Sequence, residues 1–549
     1  MQETEHTPPS TRPELAPVSL AVLVAGALLL GYNATFWAKG AEIFAGHPVK
    51  FLLLDLAILS LTCAFFALFA FRWTVRPFLA AMLILTAVTS YYMDTLGVII
   101  DRDMIQNVAT TTFTESKHLL TPGFALHVLL WGVLPAAALF LVRVRRQRWL
   151  VAVGAPVAMF ALGLGLAGGL IMVNFKTYSA IARERKDLMG SYQPGAPLVG
   201  AVRYVKMMTR SASAEVAAIG TDAHRGRVTA APHKPTLTIL VAGETARAAN
   251  FGLNGYARDT SPELAARGVI NFPDVTSCGT ATAVSLPCMF SRYTRDDYSY
   301  DKGVTTESLL DVLAHAGFAV EWWDNNTGSK GVADRVPTRS FTTTANAEFC
   351  PTGECTDGIF LGALDAFLPT VTQDTVLVLH MIGSHGPTYH LRYPPDFARF
   401  APACGTAEFK DCTPEEIVNA YDNTILYTDH ILAAIIDRLA AERGLATSLL
   451  YVSDHGESLG ENGLYLHGAP YFMAPETQTH VPMVLWMSDT FETEMGHDAA
   501  CLDAKSAAPT SHDALFHSVL GMLDVETEVR DPALDLFTGC ESAVTIAGQ

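Results

Sequence analysis

Apolar residues crowd the first third of the chain into five windows with few or no charges: Val18–Trp37, Phe51–Phe71, Phe78–Leu96, Leu126–Val142 and Leu150–Val173. A helix of about 20 apolar residues crosses the hydrocarbon core of a bilayer, so these windows predict five transmembrane helices. The first has no basic cluster before it and no small-residue cleavage site after it, so it is expected to stay in the membrane. From about Pro235 the pattern changes to short β-branched and aromatic runs separated by longer amphipathic stretches. Thr236–Val241, Ala319–Trp323, Val376–His380, Ser448–Val452 and Pro482–Trp486 read as strands. Thr306–Ala316 and Glu415–Glu442 read as helices between them, and strands alternating with helices predict a doubly wound α/β domain. The expected division is a five-helix transmembrane domain over 1–175, an amphipathic connector over 176–232 and a soluble α/β domain over 233–549. Within the connector, Lys176–Leu188 reads as an amphipathic helix, the Pro- and Gly-containing Tyr192–Gly200 as a loop, and Val202–Met208 as a segment on the membrane surface.

Basic residues set the orientation. Arg72 and Arg76 follow the second window, and Arg143, Arg145, Arg146 and Arg148 follow the fourth. Short loops rich in Arg stay in the cytoplasm, which puts the N-terminus inside and everything after residue ~175 outside. Cysteine placement agrees. Cys63 alone falls in a window, while 278, 288, 350, 355, 404, 412, 501 and 540 all fall in the soluble part. Eight cysteines in an oxidising compartment favour four disulfides, with 105 possible connectivities and short spacings that suggest nearest-neighbour pairing. The net charge is −18, yet residues 1–175 carry 11 Lys and Arg against 9 Asp and Glu. The soluble domain is therefore strongly acidic, which excludes nucleic-acid binding.

Candidate chemistry sits at strand ends. The stretch SDHGESLGENGLYLHG starts at Ser453, directly after the apolar run Leu449–Val452. It leaves Asp454 and His455 side by side at the C-terminal tip of a strand, where open α/β sheets bind ligands. Glu244 ends the run that starts at Thr236. Two carboxylates and an imidazole suit a divalent metal, with zinc the best match to the donor set. A nucleophile is sought in Thr276-Ser277-Cys278-Gly279-Thr280-Ala281-Thr282, with Thr280 the candidate. Thr280 follows a glycine and precedes a run that begins a helix, where backbone N–H groups hold an anion. A threonine hydroxyl needs a metal or a base to attack at neutral pH.

Five segments in order, AGETAR around Glu244, SCGTATAVSLPCMFSR, DNNTGSKG from Asp324, HMIGSHGPTYHLRYP from His380 and SDHGESLGENGLYLHG, resemble the lipid A phosphoethanolamine transferases. That family includes the mobile colistin-resistance enzymes and belongs to the alkaline phosphatase superfamily. The resemblance covers essentially the whole chain. It implies an alkaline-phosphatase-like soluble domain in the periplasm, anchored in the inner membrane of a bacterium. It implies zinc held by Glu244, Thr280, Asp454 and His455, with Thr280 the nucleophile that becomes phosphorylated. It places His385 and His467 at the substrate or at a second metal, and Asn326 and Lys330 on the phosphoethanolamine. It also gives Asn107, Thr111 and Glu115, spaced to share one helix face, the task of holding a lipid headgroup. The pairs Cys278–Cys288, Cys350–Cys355 and Cys404–Cys412 belong to the family pattern; Cys501 and Cys540 do not, and together would tie down the C-terminal segment.

The implied reaction moves phosphoethanolamine from phosphatidylethanolamine to lipid A through a covalent intermediate, releasing diacylglycerol, in a monomer. Each ethanolamine added to lipid A offsets one negative charge and lowers the affinity for cationic peptides such as polymyxins. The alternatives are another envelope acceptor (Kdo or core sugar, glucan or protein) and a phosphoglycerol transferase or phosphodiesterase of the same superfamily. A catalytically silent membrane sensor would lack a metal ligand, and none of the four is missing.

Overall fold

Apolar side chains with no polar alternative decide the N-terminal helices. In the computed structural model these are α1 (Pro17–Gly31), α2 (Ala34–Ile43), α3 (Pro48–Ala67), α4 (Val75–Leu96), α6 (Pro122–Leu139) and α7 (Trp149–Val173). The structure describes residues 13–112, 116–211, 215–230, 232–342, 344, 346–351 and 353–542. Four of these helices, of 20, 22, 18 and 25 residues, are long and apolar enough to span a membrane, and a fifth span exists if α1 and α2 count as one. At about 1.5 Å per residue, 20 residues cover about 30 Å. They pack as one unit, Met1–Asp101 with Leu120–Ala201; Arg102–Leu119 and Val202–Gln549 form the other.

The first window is not a straight helix. α1 and α2 meet at a 67° bend, where Asn33 departs from helical geometry. Its amide donates to the Leu28 and Gln193 carbonyls and its Oδ1 accepts from the Gln193 N–H, so the groups freed by the break are satisfied inside the protein. α6 is π-helical over Val128–Val133. Pro135 cannot donate to the Trp131 carbonyl four residues back, and Tyr32 Oη donates to that carbonyl instead, at 2.6 Å. α7 turns a stripe containing Met159, Gly163 and Ala167 inward and exposes Leu150, Leu162 and Leu166. A Cβ at Gly163 would lie 2.7 Å from the Ser60 carbonyl oxygen, so glycine permits the close approach of α3 and α7.

In the connector, helices cover Phe175–Glu184, Lys186–Gly190 and, as α8, Gly195–Ser211. The loop expected over Tyr192–Gly200 is thus corrected: it is helical from Gly195. Pro197 lies in the first turn, where an N–H has no intrahelical acceptor to lose.

The soluble domain is built on one eight-stranded sheet. Its strands are β1 (Thr236–Gly243), β2 (Ile270–Thr276), β3 (Ala319–Asp324), β4 (Thr338–Ser340), β5 (Thr375–His380), β6 (Ala446–Ser453), β7 (His480–Met487) and β8 (Thr510–Ser511). Their order is β8-β2-β7-β6-β1-β5-β3-β4. β6, β1, β5, β3 and β4 run parallel, and β7 is antiparallel to both neighbours. Every residue of β1, β5 and β6 is buried, as expected for parallel strands covered on both faces. Leu240, Val378, Leu450 and Met483 share a core with Leu309 and Leu313 of α10 (Leu309–His315) and with Phe516 and Leu520 of α12 (Asp513–Met522). Between them in the chain runs α11 (Pro414–Ala441), opened by a Thr413–Glu416 capping box.

All five sequence-predicted strands are present, and β2 is the one of any length that pattern reading missed. Pro273 and Asp274 interrupt its alternation. The chain tolerates Pro273 because β2 and β7 shift register there, between the pairs Val481–Val275 and Met483–Phe272.

Four disulfides close in the soluble domain, Cys278–Cys288, Cys350–Cys355, Cys404–Cys412 and Cys501–Cys540, and Cys63 is free. The last spans 39 residues, the longest loop of the four. Replacing both Cys501 and Cys540 by Ser should therefore cost up to about 4 kcal/mol on the chain-entropy estimate. The measurement is thermal unfolding of the purified full chain; an unchanged midpoint refutes the assignment of this bridge as a stabilising one.

Candidate active site

Strand register builds the site. β1 and β6 pair with Gly243 opposite Ser453, so the next residues, Glu244 and Asp454, leave the sheet side by side. Together with His455 they offer ligand atoms that all lie within 4.8 Å of one another. None is more than 1% exposed. His455 Nε2 lies 3.4 Å from Glu244 Oε1 and 3.5 Å from Asp454 Oδ2.

The hydrogen bonds fix which atoms face inward. His455 Nδ1 is 2.9 Å from the Gly456 carbonyl oxygen, so Nδ1 carries the proton and Nε2 presents its lone pair to the two carboxylates. Asp454 Oδ1 accepts from the N–H groups of Thr245 and His455, whereas its buried Oδ2 has no hydrogen-bond partner. A lone pair and two carboxylates facing each other in the interior require a cation between them. The donor set therefore fits a divalent metal with imidazole and oxygen ligands. Protons respond to the same field. Burial would lower the His455 imidazole, but Asp454 and Glu244 push it up to about 10. Burial and the Glu244 charge push Asp454 up to about 6. For Glu244 burial opposes ionisation, yet the His455 contact and the charges of His385 and His467 hold it well below the usual carboxylate range.

Thr245 also donates its hydroxyl to Glu244, but the hydroxyl that meets both Glu244 and His455 is that of Thr282, which corrects the expectation for Thr280. Thr282 Oγ1 is 3.0 Å from Glu244 Oε2 and 3.3 Å from His455 Nε2. It is the first residue of α9 (Thr282–Met289), after an extended Ala281. Thr280 is still in the loop: its hydroxyl donates to the Ala469 carbonyl at 2.6 Å and its own carbonyl accepts from the Gly468 N–H at 2.7 Å. Thr280 thus ties this loop to the segment after His467. The helix N-terminus expected directly after Thr280 lies two residues further on, at Thr282. Gly279 is also demanded here, since a Cβ would sit 2.9 Å from the Ser285 nitrogen.

Three histidines gather at the site. The His467 ring centroid is 4.5 Å from that of His455 and 5.4 Å from that of His385. His467 Nδ1 is held 2.9 Å from Glu457 Oε2, and the Tyr389 hydroxyl donates to the other Glu457 oxygen. Glu457 and Tyr389 were not singled out from sequence, although Glu457 lies within the same motif as Asp454. Asn326 donates to Glu244 Oε2 and to the Met381 carbonyl, both at 2.8 Å, and so braces a carboxylate of the cluster. Lys330 Nζ donates to the carbonyls of Thr110 and Thr327. Asn107 lies on α5 (Arg102–Thr110). That helix ends before Thr111, whose hydroxyl donates back to the Asn107 carbonyl at 2.6 Å. The single helix face expected for Asn107, Thr111 and Glu115 is corrected to that extent, and Glu115 lies outside the described residues.

Residues 236–525 match the sulfatase family, and residues 58–208 match the family described as phosphoethanolamine transferase EptA/EptB. Phosphoethanolamine transferase EptA of Escherichia coli strain K12 is 38% identical over 541 residues, covering 96% of this chain and 98% of that protein. Phosphatidylethanolamine transferase Mcr-1 of Escherichia coli is 36% identical, covering 95% and 98%. The integral membrane lipooligosaccharide phosphoethanolamine transferase A of Neisseria meningitidis superposes with a TM-score of 0.92 at 37% identity, covering 96% of this chain and 100% of that one. Membrane helices followed by a sulfatase-like α/β domain, matched end to end at this level of identity, make the chain a member of the phosphoethanolamine transferase family, an inner-membrane enzyme whose catalytic domain is periplasmic.

Proposed function

We propose that the protein transfers phosphoethanolamine from phosphatidylethanolamine to lipid A in two displacements through Thr282. The observation that carries the reading is the Thr282 hydroxyl, within 3.3 Å of both Glu244 and His455 at the N-terminus of α9. Glu244, Asp454 and His455 are the residues that would hold the metal, zinc by donor chemistry, and the Thr282 hydroxyl would lie beside it. When bound, zinc lowers the pKa of a hydroxyl and neutralises phosphoryl oxygens.

In the first displacement Thr282 Oγ1 forms a bond to phosphorus and loses its proton. The bond from phosphorus to the glyceryl oxygen breaks, and that oxygen takes a proton as diacylglycerol leaves. His467 is suited to the proton transfers, because Glu457 fixes its Nδ1 and leaves Nε2 for the reacting groups. The α9 N-terminus offers backbone N–H groups to the phosphoryl oxygens. In the second displacement an oxygen of the acceptor forms a bond to the same phosphorus, the bond from phosphorus to Thr282 Oγ1 breaks, and Thr282 recovers a proton. Each ethanolamine so attached offsets one negative charge of lipid A and weakens the attraction of polymyxin-like cations.

The test is an incubation with donor lipid and no acceptor, followed by peptide mass spectrometry. The expected adduct is phosphoethanolamine on Thr282; an adduct on Thr280, or none, refutes this reading. Mass spectrometry of lipid A from cells with and without the protein then identifies the acceptor.

A further inference from the structure

The segment Arg102–Leu119 belongs to the compact unit of the soluble domain, and it is pinned there at three points. Gln106, 4% exposed, donates from Nε2 to the Ala283 carbonyl at 3.1 Å, one residue after Thr282. Lys330 Nζ donates to the Thr110 carbonyl at 2.9 Å. At the far end Glu354 Oε1 lies 2.6 Å from His118 Nε2 and 3.3 Å from Lys117 Nζ.

Glu354 does not end the chain of contacts. Its Oε2 accepts from Arg392 Nη1 at 2.6 Å, and Arg392 Nε donates to the His385 carbonyl at 2.9 Å. Arg392 is 2% exposed. Glu354 precedes Cys355, whose bridge to Cys350 closes a short loop around it. Burial alone would raise the Glu354 carboxyl, yet His118 and Arg392 hold it down to about 2. An ionised carboxylate with a short charge-assisted bond on each side is a firm link. It runs from the segment that carries Asn107 and Thr111 to the backbone of His385.

We propose that Glu354 is a positioning residue for the donor lipid: through His118 on one side and Arg392 on the other, it sets the segment carrying Asn107 and Thr111 against the catalytic domain and so governs donor affinity. The proposal rests on the readings of Thr282 as the phosphoethanolamine-accepting residue and of Asn107 and Thr111 as contacts of the donor lipid. A link of this kind acts on binding and leaves the chemical step untouched. A merely structural ion pair would lower stability with no preference for either.

The experiment uses the full chain in vesicles containing phosphatidylethanolamine, with diacylglycerol release measured against donor concentration. His118→Ala, Glu354→Gln and the double variant are each expected to raise KM about tenfold and to leave kcat within about twofold. The double variant should be no worse than Glu354→Gln, because both changes cut one link. Should Glu354→Gln fail to fold, His118→Ala still decides, since it removes only the segment's side of the contact. A fall in kcat at constant KM, wild-type kinetics in both single variants, or additive effects in the double variant overturns the proposal. The Thr282 adduct is measured in parallel in the wild type: its absence sinks the reading of the site, whereas its presence beside unaltered His118 and Glu354 variants sinks only the positioning role.

Discussion

Thr282→Ala is expected to release no diacylglycerol from phosphatidylethanolamine, a loss on the order of 10⁴-fold or more in kcat, while Thr280→Ala stays within about tenfold of wild type. The two threonines are two residues apart and differ in what their hydroxyls meet. Thr282 Oγ1 faces Glu244 and His455, where an oxygen can be activated and can reach phosphorus; a methyl group offers neither. Thr280 spends its hydroxyl on the Ala469 carbonyl. Losing that bond leaves one buried acceptor unpaired, about 1–3 kcal/mol of local stability, and touches no ligand of the cluster. Thr282→Ser should retain part of the activity, since the oxygen remains but its rotamer is less restricted. Turnover measured for the three variants discriminates sharply. An inactive Thr280→Ala with an active Thr282→Ala would reverse the assignment.

Metal removal should be nearly as severe. Chelation is expected to cut activity by about 10³-fold or more, with recovery on adding zinc. Without a metal, the His455 imidazole and the carboxylates of Glu244 and Asp454 face each other with 0–1% exposure to water, and a proton on Nε2 takes the place of the metal between them. Metal binding to such a set also stabilises the fold by mass action. The chelated protein should therefore unfold at a lower temperature as well as lose turnover. Asp454→Asn preserves shape and removes a charge at the oxygen that lacks a hydrogen-bond partner. It should lose bound metal by elemental analysis in proportion to activity. Full turnover in protein shown to be metal-free would refute the metal requirement outright.

Much of this molecule was legible in its sequence because the relevant signals are local. Runs of about 20 apolar residues have few stable homes besides a bilayer. Strands buried on both faces announce themselves as continuous β-branched runs, which is why β1, β5 and β6 were readable. Glu244, Asp454 and His455 follow the C-terminal tips of β1 and β6 and lie together in the structure. Clustering of eight cysteines outside the apolar windows likewise agreed with four bridges, all of which are present.

What the tertiary structure decided are matters of register and of distant partners. Thr280 and Thr282 are chemically the same residue, and only the position at which α9 starts determines which hydroxyl meets Glu244. The first apolar window reads as one span, and the 67° bend appears because Asn33 finds its partners at Gln193, 160 residues away. β2 was hidden by Pro273, whose missing N–H is harmless because β2 itself bulges there, Pro273 and Asp274 lying opposite the single residue Pro482 of β7. Glu354 carries no local signal in the sequence, and only folding brings His118 and Arg392 to its two oxygens. Periodicity along a chain records which side of an element is apolar. It does not record where one helix begins relative to another strand's end, because that is settled by packing between residues far apart in sequence.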